Sequence, residues 1–372
     1  MKTNQELLIE RTTRLKKAIA LEKPDRTPVI AWADAFCANY MGVKMSEFSS
    51  NMILSSDTMV NTFKDFPTLD ATEVATTAPD AVAMGFLSKM KIAGRDLPEG
   101  SNWIVDEQER LSVEDYDTIL NMGWTPFYMK FLNEKLGIDV QTFFAKIGEA
   151  TGYGTMKFIE AGIPVYSVAI GPAIPLETLA GGRTMAKFIQ DLYRMPDKIQ
   201  AVMDIMMDEI VAQTIGALNM SPEKPLTVFL GIARGAGEFL SPKLWQRFTL
   251  PYMVKIINSI IGQGVVCNLH FDSCWDRDLE YLKQFPKGTC VFGCDHLTDI
   301  YKIKGTLGES MAVKGDVPSA MLAFGTPDDV YNYSTRLIKD MGNGFILAPA
   351  CTLPANAKVE NVKALLAAVE GK

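Results

Sequence analysis

The chain has 372 residues, 48% of them hydrophobic and 22% charged, with a formal net charge of -7. This is the composition of a globular chain with a full core, long enough for one large α/β barrel or two modest domains. The acidic balance excludes the basic face of a nucleic-acid binder and gives no electrostatic reason to dock on anionic membranes. The six cysteines (Cys37, Cys267, Cys274, Cys290, Cys294 and Cys351) show no framework spacing. They read as reduced thiols and favour the cytoplasm. Met1–Arg11 is polar, without the apolar core of a signal peptide, and no apolar run is long enough to span a bilayer.

Leu7–Leu21 carries apolar residues at helical spacing among Arg and Lys, which predicts an amphipathic helix within residues 1–26. Pro24 and Pro28 stop it, and Val29–Trp32 reads as a first short buried strand. Met45–Phe63 predicts a helix and Leu69–Thr76 a second strand. From Gly94 to Trp124 the chain is polar, with a turn cluster at Gly94–Gly100. With its flanks, roughly residues 80–160, it reads as a long insertion before the third strand, either a substrate lid or solvated padding.

From Ile163 the rhythm is regular. Strands are expected at Pro164–Ile170, Pro225–Gly231, Val265–His270, Thr289–Cys294, Met311–Gly315 and Gly344–Ala348. Helices are expected at Thr184–Tyr193, Pro196–Leu218, Pro242–Ile261, Asp276–Gln284, Thr298–Leu307, Asp328–Met341 and Ala357–Val369. Short apolar strands alternating with helices, eight strands in all, predict a single α/β domain over residues 1–372. The first choice is a (β/α)8 TIM barrel with an N-terminal helical segment, with function at the C-terminal strand ends. No strand is followed by a Gly-rich dinucleotide fingerprint.

The stretch Val265–Trp275 is the most informative. A run of β-formers ends in His270 and Asp272, with turn-forming Ser273 behind them. Residues i and i+2 of a strand share a face, so imidazole and carboxylate emerge together and could bind a metal or move a proton. The same residues also suit a hydrogen-bonded structural histidine and an aspartate serving its turn. Other strand-end residues are Trp32 and Asp34, Arg234 and Glu238, Cys294 to His296, Lys314 and Asp316, and Cys351. In a barrel the last strand returns beside the first. Cys351 could therefore join His270 and one or two carboxylates as a catalytic zinc set, or could be a small buried hydrophobe. Cys294 and His296 form a competing pair at their own strand end.

Four passages carry a family resemblance: Arg14–Val29, the His270 strand, Lys314–Pro318 with Leu322–Val330, and Cys351–Leu365 with its Glu360-Asn361 pair. Through them the chain resembles the uroporphyrinogen decarboxylase superfamily, and more closely its corrinoid-dependent methyltransferase branch. That branch places a His-x-Cys zinc motif on the strand of His270 and a last zinc cysteine at the position of Cys351. Here the central cysteine is replaced by Asp272. An oxygen ligand leaves more positive charge on zinc, which suits a Lewis acid acting on an ether or alcohol oxygen. The arginine-rich segment of the true decarboxylases is replaced by Ala31–Cys37.

The insertion, with Gly94–Pro98 and Glu114–Asp117, is similar to the subgroup that demethylates methoxylated aromatic compounds. The resemblance therefore implies methyl transfer from a phenyl methyl ether to the cob(I)alamin of a separate corrinoid protein. Zn2+ would be held by His270, Cys351 and a carboxylate, Asp272 or Glu238, while Trp32, Phe36 and Tyr40 either flank the ring or belong to the core. It also suggests a homodimer. A methylcobamide:thiol methyltransferase and a non-catalytic corrinoid- or porphyrin-binding barrel are the alternatives.

Overall fold

Short apolar runs become strands here because both of their faces are covered, by helices outside and by other strands' side chains inside. The computed structural model describes residues 2–168, 171–221 and 223–371. In chain order the strands are β1 (Ile30–Ala31), β2 (Ala71–Thr72), β3 (Lys89–Lys91), β4 (Ile104–Asp106), β5 (Ser167–Val168), β6 (Thr227–Ile232), β7 (Val266–Phe271), β8 (Cys290–Cys294), β9 (Ala312–Val317) and β10 (Phe345–Pro349). β3 and β4 form an antiparallel hairpin. The other eight are parallel: β5 to β10 form one sheet in sequence order, and β1 pairs with β2. Single parallel bridges, Val29 to Leu347 and Thr72 to Val165, join the two sheets at both seams. The result is a TIM-barrel-like α/β fold whose ladders thin to isolated bridges around β1 and β2.

The helix Asn4–Ile19 lies under the N-terminal end of these strands. Its Leu15, Ala18 and Ile19 pack in one cluster with Ile30, Ala71, Tyr166, Val291, Ala312, Ile346 and Ala348. Arg14, 4% exposed, donates to the fully buried Asp70 and to Asp25, and Arg26 reaches Asp70 at 2.8 Å. Asp70 also accepts the Val29 N–H at 2.8 Å. The opening motif thus ties the first helix to the first two strands. At the other end of the chain, buried Asn361 donates to the carbonyls of Met321, Leu322 and Gly325 at 3.2, 3.0 and 3.1 Å. That clamps the helix Val359–Glu370 to the segment after β9.

Several elements differ from the sequence-based expectation. The helix expected over Pro242–Ile261 divides at Thr249 into Pro242–Phe248 and Leu250–Gly262, since Pro251 suits the first turn of a new helix. Asp276–Gln284 holds only a 3-10 turn, Leu279–Gln284. The strand expected over Pro164–Ile170 is β5, and Ala169 and Ile170 lie outside the described residues. The polar stretch Gly94–Trp124 contains β4 and the helix Val113–Met122, and it buries Leu111, Tyr116, Ile119 and Trp124. Four buried side chains spread over that length leave little periodicity to read.

Between the hydrocarbon floor and the strand ends lies a polar layer. Lys314 Nζ sits 3.0 Å from both carboxylate oxygens of Glu73. Asn268 donates to Glu73 and, at 2.9 Å, to Ser167. Ser167 and Thr227 share a hydrogen bond of 2.8 Å. Glu73 and Lys314 are 2% and 5% exposed, so this is a buried ion pair with supporting hydrogen bonds. Removing one partner leaves the other charge uncompensated. Lys314→Met is expected to cost about 3–5 kcal/mol in denaturant unfolding. The double variant Lys314→Met/Glu73→Leu should recover most of that loss, and a double variant as unstable as the single would contradict the pairing.

Candidate metal centre

β7 is built with period two. Cys267, Leu269 and Phe271 are buried in the large core cluster, while Asn268, His270 and Asp272 share the opposite side. In register, Gly231 of β6 and Gly293 of β8 stand on either side of His270. A Cβ on Gly231 would lie 2.9 Å from the Phe229 ring, and one on Gly293 would lie 2.9 Å from Lys314 Cε. The two glycines therefore make room for Phe229 and Lys314 beside the imidazole. Phe229 stacks on His270 with centroids 5.4 Å apart, and Trp32 meets it edge-on at 6.0 Å. Ser273, at φ 72°, then turns the chain out of the strand.

Cys351 Sγ lies 3.6 Å from His270 Nε2, and Asp272 Oδ1 lies 3.4 Å from the same nitrogen. One donor atom from each of the three residues falls within 4.8 Å of the others. His270 is buried, and Asp272 and Cys351 are half-buried. Tetrahedral zinc with ordinary bond lengths sets a nitrogen and a sulfur about 3.5 Å apart and a nitrogen and an oxygen about 3.4 Å apart. The donor set and its spacing therefore fit a zinc-like ion with one position left open. Burial alone would lower the His270 pKa. Hydrogen bonds and charge from Asp272 and Cys351 outweigh it and push the pKa up to about 10.

The other expected residues divide. Glu238 is exposed, and its carboxylate accepts the Cys274 N–H at 3.1 Å. It is not in the donor group, so Asp272 is the carboxylate that meets His270 and Cys351. Trp32 stands at the site. Phe36 and Tyr40 do not touch the imidazole: spaced i,i+4 on the helix Ala35–Met41, they pack on each other and on Phe66, and Phe36 is 2% exposed. Asp34 caps that helix through the Ala35 N–H.

Cys294 and His296 do not form a pair. Cys294 is buried, and burial pushes its thiol far up. His296 instead bonds Asp316 at 3.1 Å, and Tyr333 donates to the same carboxylate at 2.8 Å. Asp316 and Lys314 thus serve separate pairs. Sequence reasoning missed Phe229, Glu73 and Asn268. Asn268, on the His270 side of an otherwise apolar strand, was the available signal. Asp295, within the expected strand-end run Cys294 to His296, serves a turn: its carboxylate accepts the Ser273 and Leu297 N–H groups at 2.7 and 2.9 Å and holds the chain after Asp272.

Residues 10–371 match the family model described as uroporphyrinogen decarboxylase (URO-D). The uroporphyrinogen decarboxylase of Coxiella burnetii is 22% identical over 222 residues, 58% of this chain and 60% of that protein. That of Geotalea daltonii is 29% identical over 167 residues, 44% of this chain and 45% of that one. The chain thus spans less than two thirds of the length of these curated relatives. Among solved structures, a methyltransferase from Methanosarcina mazei shares the fold with a TM-score of 0.64 at 16% identity, covering 97% of this chain and 98% of that one.

Metal must displace the proton of His270, so affinity is expected to rise with pH and level off near pH 10. Competition with a chromophoric chelator at several pH values checks this, and flat affinity from pH 6 to 10 would contradict it. The raised pKa also stabilises the metal-free fold. That contribution is whole below about pH 6.5, the unfolded value, and is lost as pH rises through about 10. Metal-free protein should therefore lose thermal stability over that window, and His270→Asn should lose less.

Proposed function

This chain belongs to the uroporphyrinogen decarboxylase family, and within it we propose a zinc-dependent methyltransferase that moves the methyl group of a phenyl methyl ether to the cobalt of a separate corrinoid protein. The observation that carries this reading is the convergence of imidazole, carboxylate and thiol at the strand ends, at metal-ligand spacing. His270, Asp272 and Cys351 would hold the ion. When bound, it supplies Lewis acidity to the ether oxygen. Trp32 and Phe229 present half-buried aromatic surface beside His270 and suit a substrate ring. The displacement breaks the O–CH3 bond, leaves the electron pair on the phenolate oxygen and passes the methyl to the nucleophilic cobalt.

Porphyrinogen decarboxylation, the activity in the curated relatives' names, is less well supported. The segment 31–37 has no arginine, and Ala31, Ala33, Ala35, Phe36 and Cys37 are buried in the core. Transfer to a thiol is the second reading within the same fold. Asp272 weighs against it, because an oxygen donor leaves the ion harder than a second thiolate would.

His270→Ala and Cys351→Ala are each expected to lose metal and to slow methyl transfer by about a hundredfold or more, since several kcal/mol of charge stabilisation are removed. Two assays are compared: reduced corrinoid protein with an aryl methyl ether as methyl donor, and methylated corrinoid protein with a thiol as methyl acceptor. Full activity of metal-free His270→Ala would end the proposal, and turnover with the thiol alone would move it to the second reading.

A further inference from the structure

We propose that His296 is a positioning residue for Asp272, acting through the loop after β8; this rests on the metal reading above and not on the identity of the methyl donor. Asp272 is the least secured of the three donors. It lies beyond the last residue of β7, and among the described residues its carboxylate has one polar partner, His270 Nε2, at 3.4 Å. No other side chain aims that carboxylate, so its direction is set by the turn that follows it.

That turn is zipped to the loop after β8. The Ser273 N–H donates to Asp295 at 2.7 Å, and the Trp275 N–H donates to Thr298 Oγ1 at 3.0 Å. Thr298 Oγ1 donates in turn to the Ser273 carbonyl at 3.0 Å, and the Asp299 N–H donates to Asp276 at 3.2 Å. Each loop carries a residue in the left-handed region, Ser273 at φ 72° and His296 at φ 79°. Residues other than glycine hold that conformation only where their surroundings dictate it. For Ser273 the surroundings are these bonds. For His296 they are the Asp316 carboxylate, 3.1 Å from Nδ1.

Asp316 is 2% exposed, and Tyr333 donates to its other oxygen at 2.8 Å. A buried carboxylate fixed in this way is a firm anchor for an imidazole at the surface. It also stands beside the strand that leads to Cys351. Asp316 is in register with Ala348, and the Val317 carbonyl accepts the Ala350 N–H at 2.9 Å. His296 thus links the turn behind one donor to the strand behind another, across β8 and β9, which separate β7 from β10. A histidine serving only the surface would need neither the left-handed backbone nor the buried carboxylate.

Zinc affinity, measured by competition with a chromophoric chelator at a fixed pH, tests this without turnover. His296→Gly suits the left-handed backbone and deletes the donor to Asp316. It is expected to bind zinc about 10- to 100-fold more weakly, the range for residues that orient metal ligands. His296→Ala is the second variant, judged by the same criterion, should the glycine keep the chain from folding. His296→Asn tolerates this backbone and sets an amide N–H where Nδ1 stands, so it should restore most of the affinity. The sharpest comparison is made in Asp272→Ala, where no carboxylate is left to position. There His296→Gly should cost no further affinity, whereas general damage to the fold would cost the same in both backgrounds. Native affinity in His296→Gly and His296→Ala, an asparagine variant as weak as the glycine one, or an undiminished loss in the Asp272→Ala background would each overturn the proposal and leave the metal centre in place. A native protein without zinc affinity, or Asp272→Ala binding as tightly as the native protein, would remove the donor set and the proposal with it.

Discussion

The contact between His270 and Cys351 is the constraint on which the rest depends. His270 lies in β7 and Cys351 follows β10, three strands apart in the sheet order. In a flat sheet, three strand spacings would separate their backbones by about 14 Å, more than an imidazole and a thiol can bridge. Their 3.6 Å approach therefore requires the sheet to curl. The single bridges at Val29 and Thr72 show the two sheets bending towards each other at both seams. Curvature and chemistry are the same fact seen from two sides: the fold that buries these strands on both faces also brings a sulfur and a nitrogen together at their ends.

Polarity rises from the floor of the barrel to its mouth. Hydrocarbon from the first helix closes the bottom. Above it the Glu73–Lys314 pair and its hydrogen-bonded neighbours form a satisfied layer, apart from Asn268 Oδ1, which has no partner. His270 comes next, two residues beyond Asn268 on the same side of β7. A buried ion pair adds little net stability, because desolvation offsets attraction. Its better-attested use is specificity, and here it fixes the inward side of β7 and β9 below the metal group. The aromatic faces of Trp32 and Phe229 then limit water around the imidazole, which strengthens any interaction with an ion held there.

Much of this was legible in the sequence, for identifiable reasons. The parallel strands announced themselves as short apolar runs, because strands covered on both faces cannot alternate. His270 and Asp272 were legible through the two-residue period, and Cys351 through its place after the last strand together with a family resemblance. Glu238 misled because the course of its loop is set by Glu177, a residue of the helix Pro175–Arg183 that no local pattern connects to it. Phe36 and Tyr40 lie on the helix that Asp34 starts and pack on each other and on Phe66, an arrangement that no pattern in the strand before them foretells. Glu73 was hidden at the end of β2, where a single acidic residue looks like a strand terminus until its lysine is seen, far along the chain. Long-range pairing of that kind leaves no local trace.

Asp272 sets a carboxylate oxygen beside the His270 imidazole and the Cys351 thiol. X-ray absorption at the zinc edge of the loaded protein reports the make-up of the donor set directly. One sulfur at about 2.3 Å with nitrogen and oxygen neighbours at about 2.0–2.2 Å is expected. A shell with no sulfur, or with two, would contradict it.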